Sequence, residues 1–235
     1  MATHIHPDKK RAEDTLWLIV AVLASIIIVF ALLVLLVLLL PTPFSAQAVS
    51  TPNQEILDVK KDPIQTNLSM VEPIVIEQPS FVWKLIPRAE YLIAARIISK
   101  QEFTDDWLAD VSPLDLGLGW GDLSDTTFDS QLHWRQGNRW LFYSWLDEPP
   151  LPPTYIKDHA ANVHIIPATE NLRLAVLLLE AGDLVLLEGL LVDAEKTEGG
   201  LVRTQYTSLT RTDEGFGGCE VIYVERVVVD GKEYR

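Results

Sequence analysis

A chain of 235 residues with a formal charge of −14 and one cysteine excludes several classes at once. Nucleic acid is excluded as a partner, because its phosphates meet a repulsive field, and a single cysteine rules out an internal disulfide. The length suits one medium domain with appendages.

Residues 1–15 read as a cytoplasmic tail carrying Lys9, Lys10 and Arg11. Residues 16–40, LWLIVAVLASIIIVFALLVLLVLLL, contain no charge. At about 1.5 Å per residue they cover the roughly 30 Å of a bilayer core, so a single transmembrane helix is expected. Ala46-Gln47-Ala48 matches a small-x-small processing site, which keeps a cleaved signal peptide as the alternative, although signal cores run only about 7 to 15 residues. Beyond the span nothing basic occurs until Lys60 and Lys61. The positive residues therefore predict a single-pass protein of the cell membrane, with its N-terminus cytoplasmic and its C-terminal bulk outside.

Residues 41–80 hold six prolines among Ser, Thr, Gln and Asn and show no sustained period, so a semi-extended spacer is expected. Within it, PIVIEQ (residues 73–78) is short and apolar enough for an edge strand. Residues 81–235 read as an extracytoplasmic β-rich domain. EYLIAARIIS (90–99) predicts a core strand, and SQLHWRQGNRWLFYSW (130–145) a hairpin turning near Gln136-Gly137-Asn138. Between these two, Pro113 and several glycines predict an ordered loop with short helical turns.

TENLRLAVLLLEAGD (169–183) predicts one helix, capped by Thr169 and terminated at Gly182. Three strands follow: DLVLLEGLLVDAE with a bend at Gly189, LVRTQYTSLT, and CEVIYVERVVV. Strands without alternating helices speak for an antiparallel sheet that closes on itself. We expect an OB-like, partly open barrel.

Four segments, SPLDLGLGWGDLSD (112–125), HAANVHIIPA (159–168), AGDLVLLEGLLV (181–192) and SLTRTDEGFGGCEVIYVE (208–225), resemble a family of uncharacterised bacterial proteins, many with one N-terminal membrane helix. The resemblance implies that these segments form one unit. It implies no activity and no site residues.

The residues themselves offer several chemistries. In SLTRTDEGFGGCEV, Arg211 and Asp213 can pair, the glycines allow unusual backbone, and Cys219 and Glu220 open a strand. A nucleophilic Cys219 would need a histidine, and His159 and His164 are the candidates. The bland reading is a wide turn with Cys219 as core filler. His159 and His164 are also candidate zinc or copper ligands, yet their spacing of five puts them on opposite faces of a strand.

Asp105, Asp106, Asp110, Asp115, Asp122 and Asp125 could bind calcium or make an acidic surface. Trp107, Trp120, Trp134 and Trp140 could be sugar platforms or core. Asp115, Trp120, Asn162 and Glu220 are the binding candidates, and no cofactor motif is present. The function expected is a membrane-anchored interaction or assembly module with an envelope protein partner. A thiol- or metal-dependent enzyme and a carbohydrate-binding module are the alternatives.

Overall fold

The computed structural model describes residues 7–39, 45–49, 57–210 and 218–235. The chain divides into two compact units, Met1–Phe44 and Ser45–Arg235. The first is built on α1 (Pro7–Leu39), 33 residues long. Its stretch Thr15–Leu32 has a mean hydropathy of 2.9, so α1 is long and apolar enough to cross a membrane.

The second unit is mainly β. Two short strands, β1 (Ile64–Asn67) and β2 (Ile74–Glu77), pair antiparallel with the 22-residue β3 (Phe81–Glu102). Part of the stretch expected as spacer is thus sheet. Both strands lie at an edge, where Pro63 and Pro73, one residue before each, remove no ladder hydrogen bond. Residues 45–49 also belong here: Asn171 accepts from the Gln47 N–H at 2.6 Å and donates to the Gln47 carbonyl at 2.9 Å.

Next comes β4 (Leu114–Gly119), a strand where loop was expected. A 3-10 turn at Gly121–Ser124 and the one-turn helix α2 (Thr126–Asp129) lead to a hairpin of β5 (His133–Gly137) and β6 (Trp140–Ser144), which form a sheet of their own. Asn138 and Arg139 at its tip have φ of 52° and 64°, as a two-residue hairpin turn requires. Then follow α3 (Pro153–Asp158), β7 (Ala160–Pro167) and α4 (Glu170–Leu177). Thr169 caps α4 by accepting from the Leu172 N–H. The helix stops before Gly182, whose N–H instead donates to the Ile97 carbonyl in the connection onward. The chain ends with β8 (Leu184–Glu198), β9 (Leu201–Gln205), β10 (Glu220–Val229) and β11 (Lys232–Tyr234).

The sheet curls back on itself. Pairing runs β3-β4-β7-β10-β8, and β8 returns to β3 along fifteen residue pairs from Phe81↔Glu198 to Arg96↔Leu184. The expectation of a purely antiparallel sheet is corrected at one place: β7 and β10 pair parallel, because the chain crosses over through α4, β8 and β9 before returning. Inside the ring lies one apolar core, with Tyr91, Ile93, Leu116, Val163, Leu187 and Ile222 among its members, and α4 adds Leu172 and Val176.

Bulges decide which face each side chain takes. In β3 the register slips between Pro87 and Ala89, so odd-numbered residues change sides. Trp83 and Leu85 pack into a second cluster outside the ring, with Leu108, Val192 and Val221, whereas Ala89, Tyr91 and Ile93 point inside. A second slip between Ile97 and Ser99 reverses this again and turns Ser99 and Gln101 outward. β10 slips between Val224 and Arg226, beside Gly189 of β8. There the backbones approach so closely that a Cβ on Gly189 would stand 2.0 Å from the Tyr223 carbonyl oxygen.

Candidate functional site

Two cross-strand rows define the outer face of the ring. The first runs Gln101, Asp115, His164 and Val221 across β3, β4, β7 and β10. The second runs Ser99, Gly117 and Asn162 and reaches Cys219, whose Sγ lies 3.8 Å from Asn162 Nδ2. The LDLGLG strand sends Leu114, Leu116 and Leu118 inward and Asp115 and Gly117 outward, yet all its residues are buried. The hairpin covers the outer side: a Cβ on Gly117 would meet Leu141 Cδ1 at 3.0 Å.

Arg139, at the hairpin tip, ties this face together. Its Nε and Nη2 donate to the two Asp106 oxygens at 2.6 and 2.8 Å, and Nη1 donates to Asp115 Oδ1 at 2.8 Å. Nη2 also donates to the Ser112 carbonyl, and the guanidinium lies 3.9 Å from the Phe103 ring centre. Asp115 is fully buried and takes two further bonds, from His164 Nδ1 at 2.9 Å and Asn162 Nδ2 at 3.2 Å. A carboxylate beside a guanidinium accepts only, so Nδ1 of His164 donates to Asp115. Asn162 also donates to the Arg139 carbonyl and accepts from Gln136, which in turn accepts from Ser99. Hairpin, loop and barrel wall thus share one polar latch.

Burial alone would raise the Asp106 pKa. The Arg139 hydrogen bonds and charge, with the N–H groups of Leu108 and Ala109, more than offset it, and the carboxyl sits below its ordinary value. A depressed folded pKa contributes stability that is present above the unfolded value and lost as pH falls through the folded one. In urea melts at successive pH values, the stability gap between wild type and Asp106→Asn is expected to shrink below about pH 4. A gap that stayed constant into acid would show that Asp106 ionisation does not hold the latch.

Beside the latch lies a cleft of about 650 Å³. Residues 101–108 form one wall, Asn138, Arg139 and Trp140 another, and His164, Gln205 and Cys219 complete it. Two of the sequence candidates, His164 and Cys219, line the cleft, and Asp115 and Asn162 hydrogen-bond to its lining from the latch. Others do not. His159 stacks on Tyr155 with ring centres 3.7 Å apart and sits beside Trp120, away from the cleft, so the expected His159/His164 pair is not brought together. The reason is the strand itself, since five residues along β7 span about 16 Å.

Trp120 is buried, with its Nε1 donating to Asp62. Glu220 falls on the inward side of β10 with Ile222 and Val224. Arg211 and Asp213 lie outside the described residues. Among the described residues no three His, Cys, Asp or Glu side chains group as metal ligands. The acidic loop disperses its carboxylates onto separate partners, with Asp106 on Arg139, Asp110 on Lys196 and Asp125 on the Thr127 N–H. Of the four tryptophans, only Trp107 and Trp140 line the cleft, and Trp107 stacks on Trp83.

Cys219 is buried, 6% exposed, and its sulfur lies 3.8 Å from both the Arg139 carbonyl and the Asn162 amide. The His164 ring is engaged by Asp115 and makes no hydrogen bond to the thiol. Sequence reasoning missed Arg139, the residue that joins most of the others. The available signal was an arginine at the turn of an aromatic-rich hairpin, downstream of an unpaired run of aspartates.

Comparison with protein-family models, with curated proteins and with solved structures finds no match.

Proposed function

We propose that this chain is a membrane-anchored binding module. In this reading α1 spans the cell membrane with the basic tail in the cytoplasm, and the second unit is an OB-type barrel in the envelope that docks a partner in its cleft. The supporting observation is the position of the cleft. OB-type barrels bind on the face of their second and third strands, between the loop joining strands one and two and the loop joining strands four and five. Counted around this ring, those are β4 and β7, residues 103–113, and the β8–β10 connection. The cleft lining draws on the first loop, on His164 of β7, and on Gln205 and Cys219 of the last connection. Binding is favoured over thiol catalysis because the sulfur faces the Asn162 amide and the Arg139 carbonyl, while the nearest candidate imidazole, His164, is engaged by Asp115.

Two experiments test this. Alkaline extraction of membranes is expected to leave the intact 26.4 kDa chain in the pellet. Release of a shorter chain beginning near Val49 would mean a cleaved signal. A photoreactive side chain at Asn138 is expected to give discrete adducts in native membranes, while the same group at Glu188 on β8 gives none. Equal adducts at both positions would argue against a binding cleft.

A further inference from the structure

Among the described residues, four strands of the main sheet have neighbours on one side only: β1, β2, β9 and β11. Three of them carry a device that discourages further pairing. β1 begins after Pro63, β2 begins after Pro73 and ends on Glu77, and the Glu233 carbonyl of β11 accepts from the Val49 N–H. β9 has no such guard. It joins β8 through Gly199-Gly200, with φ of 56° and 81°, a two-residue turn whose flanking pair, Glu198 and Leu201, exchanges both backbone hydrogen bonds. Alternation then turns the N–H and C=O groups of Leu201, Arg203 and Gln205 to β8, and those of Val202 and Thr204 to the free side.

A row of free backbone groups is matched by another extended strand, and the side chains of β9 say which. Val202 and Tyr206, the residue after the strand, are 58% and 62% exposed. Residues 199–210, GGLVRTQYTSLT, hold no carboxylate and one charge, Arg203, in a chain of −14, so a second copy meets little repulsion here. One antiparallel register of β9 on itself is complementary throughout. Centred on Thr204, it sets Thr204 against Thr204, Val202 against Tyr206 and Arg203 against Gln205 of the second copy. Centred on Arg203, it would oppose two guanidinium groups, and centred on Val202 it would run Thr204 into the Gly200 turn. Pairing of like with like also closes a two-fold dimer, where pairing of β9 with a different edge would propagate.

We propose that β9 is a self-association edge, at which two copies of this chain pair β9 to β9, antiparallel about Thr204. The inference goes beyond the cleft reading and does not rest on it, because Val202, Thr204 and Tyr206 do not line the cleft. One short strand pair is a small contact, so covalent trapping is the sensitive readout.

The test uses the full chain in phosphatidylcholine vesicles, carrying Thr204→Cys, Arg203→Cys or Leu178→Cys, oxidised with copper phenanthroline and resolved without reductant. Leu178, exposed after α4, reports random collision, and wild type reports the buried Cys219. Thr204→Cys is expected to form disulfide dimers at least about tenfold faster than the other two, because directly opposed strand residues lie within disulfide reach and residues offset by two do not. Val202→Glu should slow the Thr204→Cys reaction, and adding Tyr206→Lys should restore it, since the register sets the two side chains opposite each other. That restoration separates lost pairing from lost folding. Equal rates at Thr204 and Leu178 overturn the proposal, as do equal rates at Thr204 and Arg203, which would mean contact without register. Thr204→Cys adducts to a different protein in native membranes, with none between copies, overturn it too and assign the edge to another partner's strand. The Asn138 adducts judge the cleft reading separately.

Discussion

Replacing Arg139 with alanine is expected to destabilise the barrel unit by about 3 to 5 kcal/mol. The cause is what remains behind: Asp115 is fully buried, and without the guanidinium its charge is held only by His164 and Asn162. Arg139→Lys is expected to recover only part of the loss, because one ammonium cannot bridge Asp106 and Asp115 while also bonding the Ser112 carbonyl. Pairing Arg139→Met with Asp115→Asn should recover more, since it removes the stranded charge. Lys61→Ala gives the scale for an exposed pair, as its bond to Asp58 is screened by solvent on both sides and its loss is expected to change stability little. Urea unfolding of the four variants checks the order. A loss from Arg139→Ala no larger than that from Lys61→Ala would mean that the latch does not hold the hairpin.

Gly189→Ala is the second large effect. The new methyl would stand 2.0 Å from a carbonyl oxygen and 3.1 Å from the Glu225 nitrogen, both backbone atoms in the ladder that closes the ring. No side-chain rotation relieves that overlap, so the strands must separate. We expect a loss above about 3 kcal/mol, or failure to fold. Gly137→Ala is the matched control, because its Cβ would meet only the flexible end of Arg135 at 3.5 Å. Thermal melts of the two proteins decide it: similar melting temperatures would show that β8 and β10 do not approach as described.

Much of this architecture was legible in the sequence, and for physical reasons. The charge-free run of 25 residues, the aromatic strands about Gly137-Asn138, the Thr169 cap and the bend at Gly189 each express a local requirement that one stretch of chain reveals. Residues 112–125, 159–168, 181–192 and 208–225 contain β4, β7, most of β8 and the start of β10, four of the five ring strands.

What stayed hidden depends on contacts far apart in the chain. LDLGLG alternates leucine with aspartate and glycine, but Pro113 and the glycines suggested a loop, and nothing local shows that both of its faces are covered. The slips at Arg88 and Ile98 turn Trp83 and Gln101 outward and Ile93 inward, and neither leaves a mark that periodicity detects. The site followed the same rule. Asp115, Asn162, His164 and Cys219 were each noticeable alone, but only the ring places β4, β7 and β10 side by side, and only the hairpin supplies Arg139. His159 attracted notice through its nearness to His164 in sequence, which a strand converts into distance.

In the proposed reading the outer face is a latch beside a binding cleft, with Cys219 as packing. The most direct measurement is the alkylation rate of Cys219 in the folded chain as pH is raised, in wild type and in His164→Gln. Alkylation is expected to be limited by opening of the fold and unchanged by the substitution. A fast native-state reaction that depends on His164 would contradict it and make the face a reaction centre.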